Sequence, residues 1–200
     1  MLAYALMMSG TSLMVLIAGI IGTQFAPSPA YATLPVALTI VGLALSTLPT
    51  GRLQKKFGRR RVFVAYGFLA VIAALLATQS LIEANFIGFC AAAMLMGWSA
   101  AAGHQYRFAA METVPPELAP KATSVLLFGG LLAAAVGPEI AVRGQYLLAT
   151  EFAGSYLLLA GIYALGIVVV SFYRESGCAG EVHQGQGRPL LQIIRSPVVI

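Results

Sequence analysis

Aspartate is missing from this sequence, and charge of either sign is scarce: 10% of the 200 residues are charged, against 59% hydrophobic. Too little polar material remains to coat a water-soluble globule. Acidic residues number seven and histidines two. Convergent acids and bases for catalysis are therefore in short supply, and no enzyme is expected. The two cysteines, Cys90 and Cys178, supply neither a disulfide framework nor a metal-ligand spacing, so no metal is expected; no cofactor is expected either. No Lys or Arg precedes Arg52. Without a basic leader, and with an apolar run longer than a signal h-region, the first segment reads as retained, although Ala30-Tyr31-Ala32 resembles a cleavage site. Apolar and polar residues do not alternate, which argues against a transmembrane β-barrel.

What is abundant is apolar sequence in long runs, with a mean hydropathy of +0.86. A hydrocarbon core of ~30 Å takes ~20 helical residues to cross. Six windows of that kind occur, at about 2–23, 33–50, 62–82, 85–107, 122–141 and 153–173. Each is expected to be a helix, because backbone N–H and C=O groups cannot go unpaired in lipid. The fold class is therefore all-α, an integral membrane bundle of six helices over residues 1–173. Connections of roughly 2 to 14 residues point to antiparallel neighbours.

Residues 174–196, rich in Gly, Gln and charge, read as a linker. Ser196-Pro-Val-Val-Ile200 then begins a new apolar run. Read as the start of a truncated seventh helix over 197–200, it makes the chain one half of a two-part protein that needs a missing C-terminal half or a second copy. A short apolar tail is the other reading.

The basic residues are unevenly placed. Eleven residues, Gly51-Arg-Leu-Gln-Lys-Lys-Phe-Gly-Arg-Arg-Arg61, hold six of the twelve Lys and Arg. The ends following helices two, four and six carry eleven basic residues in all, and the opposite side has Arg143 alone. By the positive-inside rule the N-terminus and the linker are expected to face the cytoplasm, in the plasma (inner) membrane. Anionic headgroups beside those ends account for the net charge of +5 without a nucleic-acid partner.

Gly51-x-Leu53-x-x-x-x-Gly58-Arg59-Arg60 resembles the signature loop of the major facilitator superfamily, which lies between helices two and three. A second stretch, Glu112-Thr-Val-Pro-Pro-Glu117 with Lys121-Ala122 and, further on, Gly137-Pro138, is similar to that family's passage into helix five. The resemblance implies a secondary transporter that moves a small solute by rocking two six-helix halves about a midplane site. It also implies that Gly51, Leu53, Lys55, Gly58, Arg59, Arg60 and Glu112 form a conformational gate, with Glu112 the nearest acid to receive Arg59 or Arg60. Lys55 stands where the family pattern has an acid, Ala93 where it has a helix-four arginine, and Ala133, Ala141 and Val142 where its antiporters have glycine. A small channel or a homodimeric six-helix protein is the alternative.

Gly51 and Gly58 permit a tight turn and close backbone approach, and the arginines can cap helix C-termini or pair with carboxylates. The alternative is that these charges serve simply to set topology. Within the membrane, His104, Gln105 and Arg107 form the densest polar group, with His104 and Arg107 on one helix face. Arg107 either faces a cavity and binds an anionic solute or snorkels to headgroups. Ser12 is a further binding candidate, and Ala133, Gly137, Pro138 and Ala141 are expected to pack helix five closely, with a bend at Pro138.

Overall fold

The structure is a computed structural model that describes residues 2–112 and 115–172, the side chains of 107–112, 116 and 119 excepted. The expected linker at 174–196 and the expected helix start at 197–200 lie outside the described residues. The chain forms α1 (Leu2–Phe25), α2 (Leu34–Phe57), α3 (Arg59–Ile82), α4 (Phe86–Glu112), α5 (Ala119–Gly144) and α6 (Ala153–Ser171). All six are long and apolar enough to cross a membrane. Single 3₁₀ turns at Pro29–Tyr31 and Pro116–Leu118 precede α2 and α5.

Local chemistry sets the ends of these helices. Both α2 and α5 carry proline in their first turn, where a missing N–H removes no helical bond. The Asn85 side chain accepts the Gly88 N–H at 3.0 Å and caps α4. The turn before it passes through Ala84 at φ 51°.

α1 is the hub, packed against α2, α4, α5 and α6, while α3 lies against α4 and α6. The main core joins Leu13, Met14 and Ile17 of α1 to an alanine stripe on α3 (Ala70, Ala73, Ala74, Ala77) and to Phe89, Ala92 and Ala93 of α4. α6 closes it with Tyr156, Leu159 and Tyr163. In lipid no hydrophobic gain draws helices together, so dispersion contacts and short interhelical bonds must hold them. Small residues make that possible.

Two seams show how. Between α2 and α4, a Cβ on Gly42 would sit against the Met94 carbonyl, and one on Gly97 against the Thr39 carbonyl. The two backbones touch without side chains between them. Between α1 and α5, Gly137 lets Ser12 approach, and the Ser12 hydroxyl donates to the Ala134 carbonyl at 3.4 Å. Pro138 lacks the N–H that would otherwise bond that carbonyl. α1 thus supplies the bond that proline removes from α5, and α5 continues as helix to Gly144. Ala133 and Ala141 are buried on the same helix, in keeping with the close packing expected of it.

Candidate functional site

The basic segment is not a loop. α2 continues as helix through Phe57, α3 starts at Arg59, and Gly58 alone makes the turn, at φ 83° and ψ 153°. That backbone region is essentially closed to side-chain-bearing residues, so Gly58 has the role expected of it. Gly51 does not. It is helical, and a Cβ there would meet nothing within 4 Å, so the tight turn and close approach expected at Gly51 are corrected. Lys, Arg and Gln are good helix formers, and the helix runs on past the apolar stretch.

Seen along the turn, Leu53 packs against a second buried cluster and Lys55 is exposed. Arg60 donates from Nη2 to the Ser171 carbonyl at 2.5 Å, capping the last turn of α6. A cation at a helix C-terminus meets both an orphan carbonyl and the negative end of the helix dipole. One expected role of the arginines is thus observed, for Arg60. The side chain of Glu112, the expected acidic partner, lies outside the described residues.

Beneath the turn, hydroxyl groups tie three helices together. Thr50 on α2 donates to the Ser46 carbonyl at 2.6 Å and accepts from the Tyr66 hydroxyl of α3 at 2.8 Å. Ser46 reaches the Trp98 carbonyl of α4 at 3.1 Å. Ser46 and Thr50 are both wholly buried. Next to them Phe63 stacks on Tyr106 at 4.2 Å between centroids, and Tyr4 meets Tyr106 edge-on. A void of about 10 Å³ beside Phe63, Tyr66 and Ser99 has room for at most a single water. Elsewhere on α2, Gln54 has a buried amide nitrogen without a hydrogen-bond partner.

The sequence carried a sign of this arrangement: Gly42, Ser46 and Thr50 recur every four residues, the spacing of a close-packed helix face. Ser171, Tyr66 and the Trp98 carbonyl had no comparable signal, because their roles depend on neighbours far along the chain.

The expected binding residues are only partly gathered. Gly103 packs on Met8 of α1, so His104 and Gln105 lie near that level, and Ser12 is about 6 Å further along α1 by helical rise. His104 is exposed and Gln105 half-buried, while the side chain of Arg107 lies outside the described residues. The Ser12 hydroxyl is engaged at the α1–α5 crossing. Ala93, where the resemblance puts an arginine, is wholly buried in the apolar core.

The sequence profile of the Major Facilitator Superfamily matches residues 1–200. The chain belongs to that superfamily. Among its curated relatives within the superfamily, a protein named riboflavin transporter RfnT from Brucella anthropi is 32% identical over 200 residues, covering 98% of this chain and 50% of the relative. An uncharacterized MFS-type transporter, YdeG, from Bacillus subtilis is 29% identical over 169 residues, 81% of this chain and 39% of the relative. The chain thus spans half or less of the length of these superfamily relatives. No solved structure gives a significant match.

Proposed function

We propose that this chain is the N-terminal half of a secondary transporter, and that it moves a small solute by alternating access together with a second six-helix half. The reading rests above all on the alignment with a named transporter along nearly the whole of this chain and half of that relative. In this reading the basic turn faces the cytoplasm at the inner membrane, Gly58 is the joint between α2 and α3, and Arg59, Arg60, Lys55 and Glu112 take part in the gate. No chemical step is assigned to the chain.

His104, Gln105 and Arg107 are the solute contacts in this reading, with Ser12 holding α1 to α5 beside them. Riboflavin is the first solute to test, because the relative's name carries it. His104, Gln105 and the Arg107 guanidinium can all offer it hydrogen bonds. The experiment is uptake into cells that cannot make riboflavin, which express this chain alone or together with the C-terminal half of the relative. Growth on external riboflavin is expected only with both halves, and a His104→Ala/Gln105→Ala variant should need about tenfold more of it. Uptake by the 200-residue chain alone would sink the two-half reading. Unchanged uptake in the variant would sink the assignment of the contacts.

A further inference from the structure

An open groove of about 520 Å³ lies between the first turns of α3 and the end of α6, lined by Arg60, Arg61, Val64, Ala65, Phe68 and Ser171. Its chemistry is divided along its length. Two guanidinium groups stand at the helix ends, and an apolar floor continues down α3. Positions 60, 64 and 68 follow one another at four-residue spacing, with 61 and 65 alongside, so they share a face. Phe68 lies about 12 Å from the arginine level by helical rise, and it is 56% exposed. The Ser171 carbonyl holds Arg60 at the rim.

We propose that this groove binds one anionic phospholipid, with the phosphate at Arg60 and Arg61 and the upper acyl chain along Val64, Ala65 and Phe68. A guanidinium fork matches phosphate geometry, and a basic pocket between transmembrane helices suits an anionic headgroup. The segment from Gly51 to Arg61 contributes six cations and no acid, so the rim favours negative charge. The apolar floor selects a lipid over a soluble anion: inorganic phosphate would use the rim and leave Phe68 uncovered. A lipid seated here touches α3 and α6 together at the end where Arg60 already joins them. Occupancy therefore reinforces that contact.

Native mass spectrometry of the detergent-solubilised chain with equal phosphatidylglycerol and phosphatidylcholine tests the site. The unaltered protein should retain phosphatidylglycerol about tenfold over phosphatidylcholine, Arg60→Gln/Arg61→Gln should lose that preference, and Arg60→Lys/Arg61→Lys should keep most of it. Should the double variant fail to fold by circular dichroism, Arg61→Gln alone spares the bond to Ser171 and should weaken the preference about threefold. Phe68→Gln, with both arginines intact, should also shorten lipid retention. No preference in the unaltered protein, or an undiminished one in a folded arginine variant, overturns the proposal. Displacement by inorganic phosphate as effective as that by short-chain phosphatidylglycerol overturns it too, in favour of a soluble anion.

Discussion

α2 and α4 pack against each other along one seam, yet α4 is 61% buried over its most apolar stretch and α2 only 17%. α4 touches α1, α2, α3 and α5, and its position is over-determined by contacts on several faces. α2 rests on a single stripe, Pro35, Gly42, Ser46 and Thr50, while Ile40, Val41, Leu45 and Leu48 point outward. The seam and the turn at Gly58 therefore do most of the holding, and the outer faces contribute little within this half. In water such an apolar face would be a liability. In a bilayer it is neutral, because lipid chains are as apolar as leucine.

The contrast is broken most severely by Gly97→Val, which drives a branched side chain into the Thr39 backbone. Backbone cannot step aside as a flexible side chain can. A loss of about 4 kcal/mol or more is expected, seen as aggregation or loss of cooperative melting in detergent; wild-type melting would refute the backbone-to-backbone seam. Gly58→Ala should cost about 1–3 kcal/mol, because its φ of 83° is strained for alanine. A parallel thermal melt reads it, and an unchanged midpoint would mean that the turn relaxes.

Smaller changes sharpen the comparison. Ser46→Ala removes the bond to the Trp98 carbonyl and should cost about 0.6 kcal/mol, the average for interhelical bonds in membranes, and no more than about 1.7 kcal/mol. Denaturant titration of a matched Thr50→Val protein would show a similar loss if the hydroxyl chain acts as one unit. Leu48→Ala, 69% exposed, should shift stability of the six-helix unit by no more than about 0.5 kcal/mol. If uptake with a second half nevertheless falls, the outer face of α2 meets that half; a large stability loss in the isolated half would instead contradict its exposure.

Much of the bundle was legible because the bilayer imposes a length and forbids unpaired backbone, so six apolar runs translate directly into six helices. Their ends were less legible. Hydropathy marks where lipid contact stops, whereas a helix stops where its hydrogen bonds do. α2 therefore runs seven residues past the expected 50, to Phe57, through Lys55 and Lys56. Ser12 illustrates a different limit. A serine in an apolar helix has the same local pattern whether it meets a solute or a neighbouring carbonyl, and Pro138, which frees that carbonyl, lies 126 residues away.

By itself the sequence determined the class, the number of spans, the clustering of basic residues at one end and the superfamily. Each follows from composition, from run length or from a motif readable along the chain. Only the tertiary structure decided that Gly58 alone makes the turn, that Arg60 caps α6 at Ser171, and that Gly42, Gly97 and Ser46 close α2 onto α4. These are meetings between distant segments, set by which small residues let two backbones approach, and no local pattern records which helix will be on the other side.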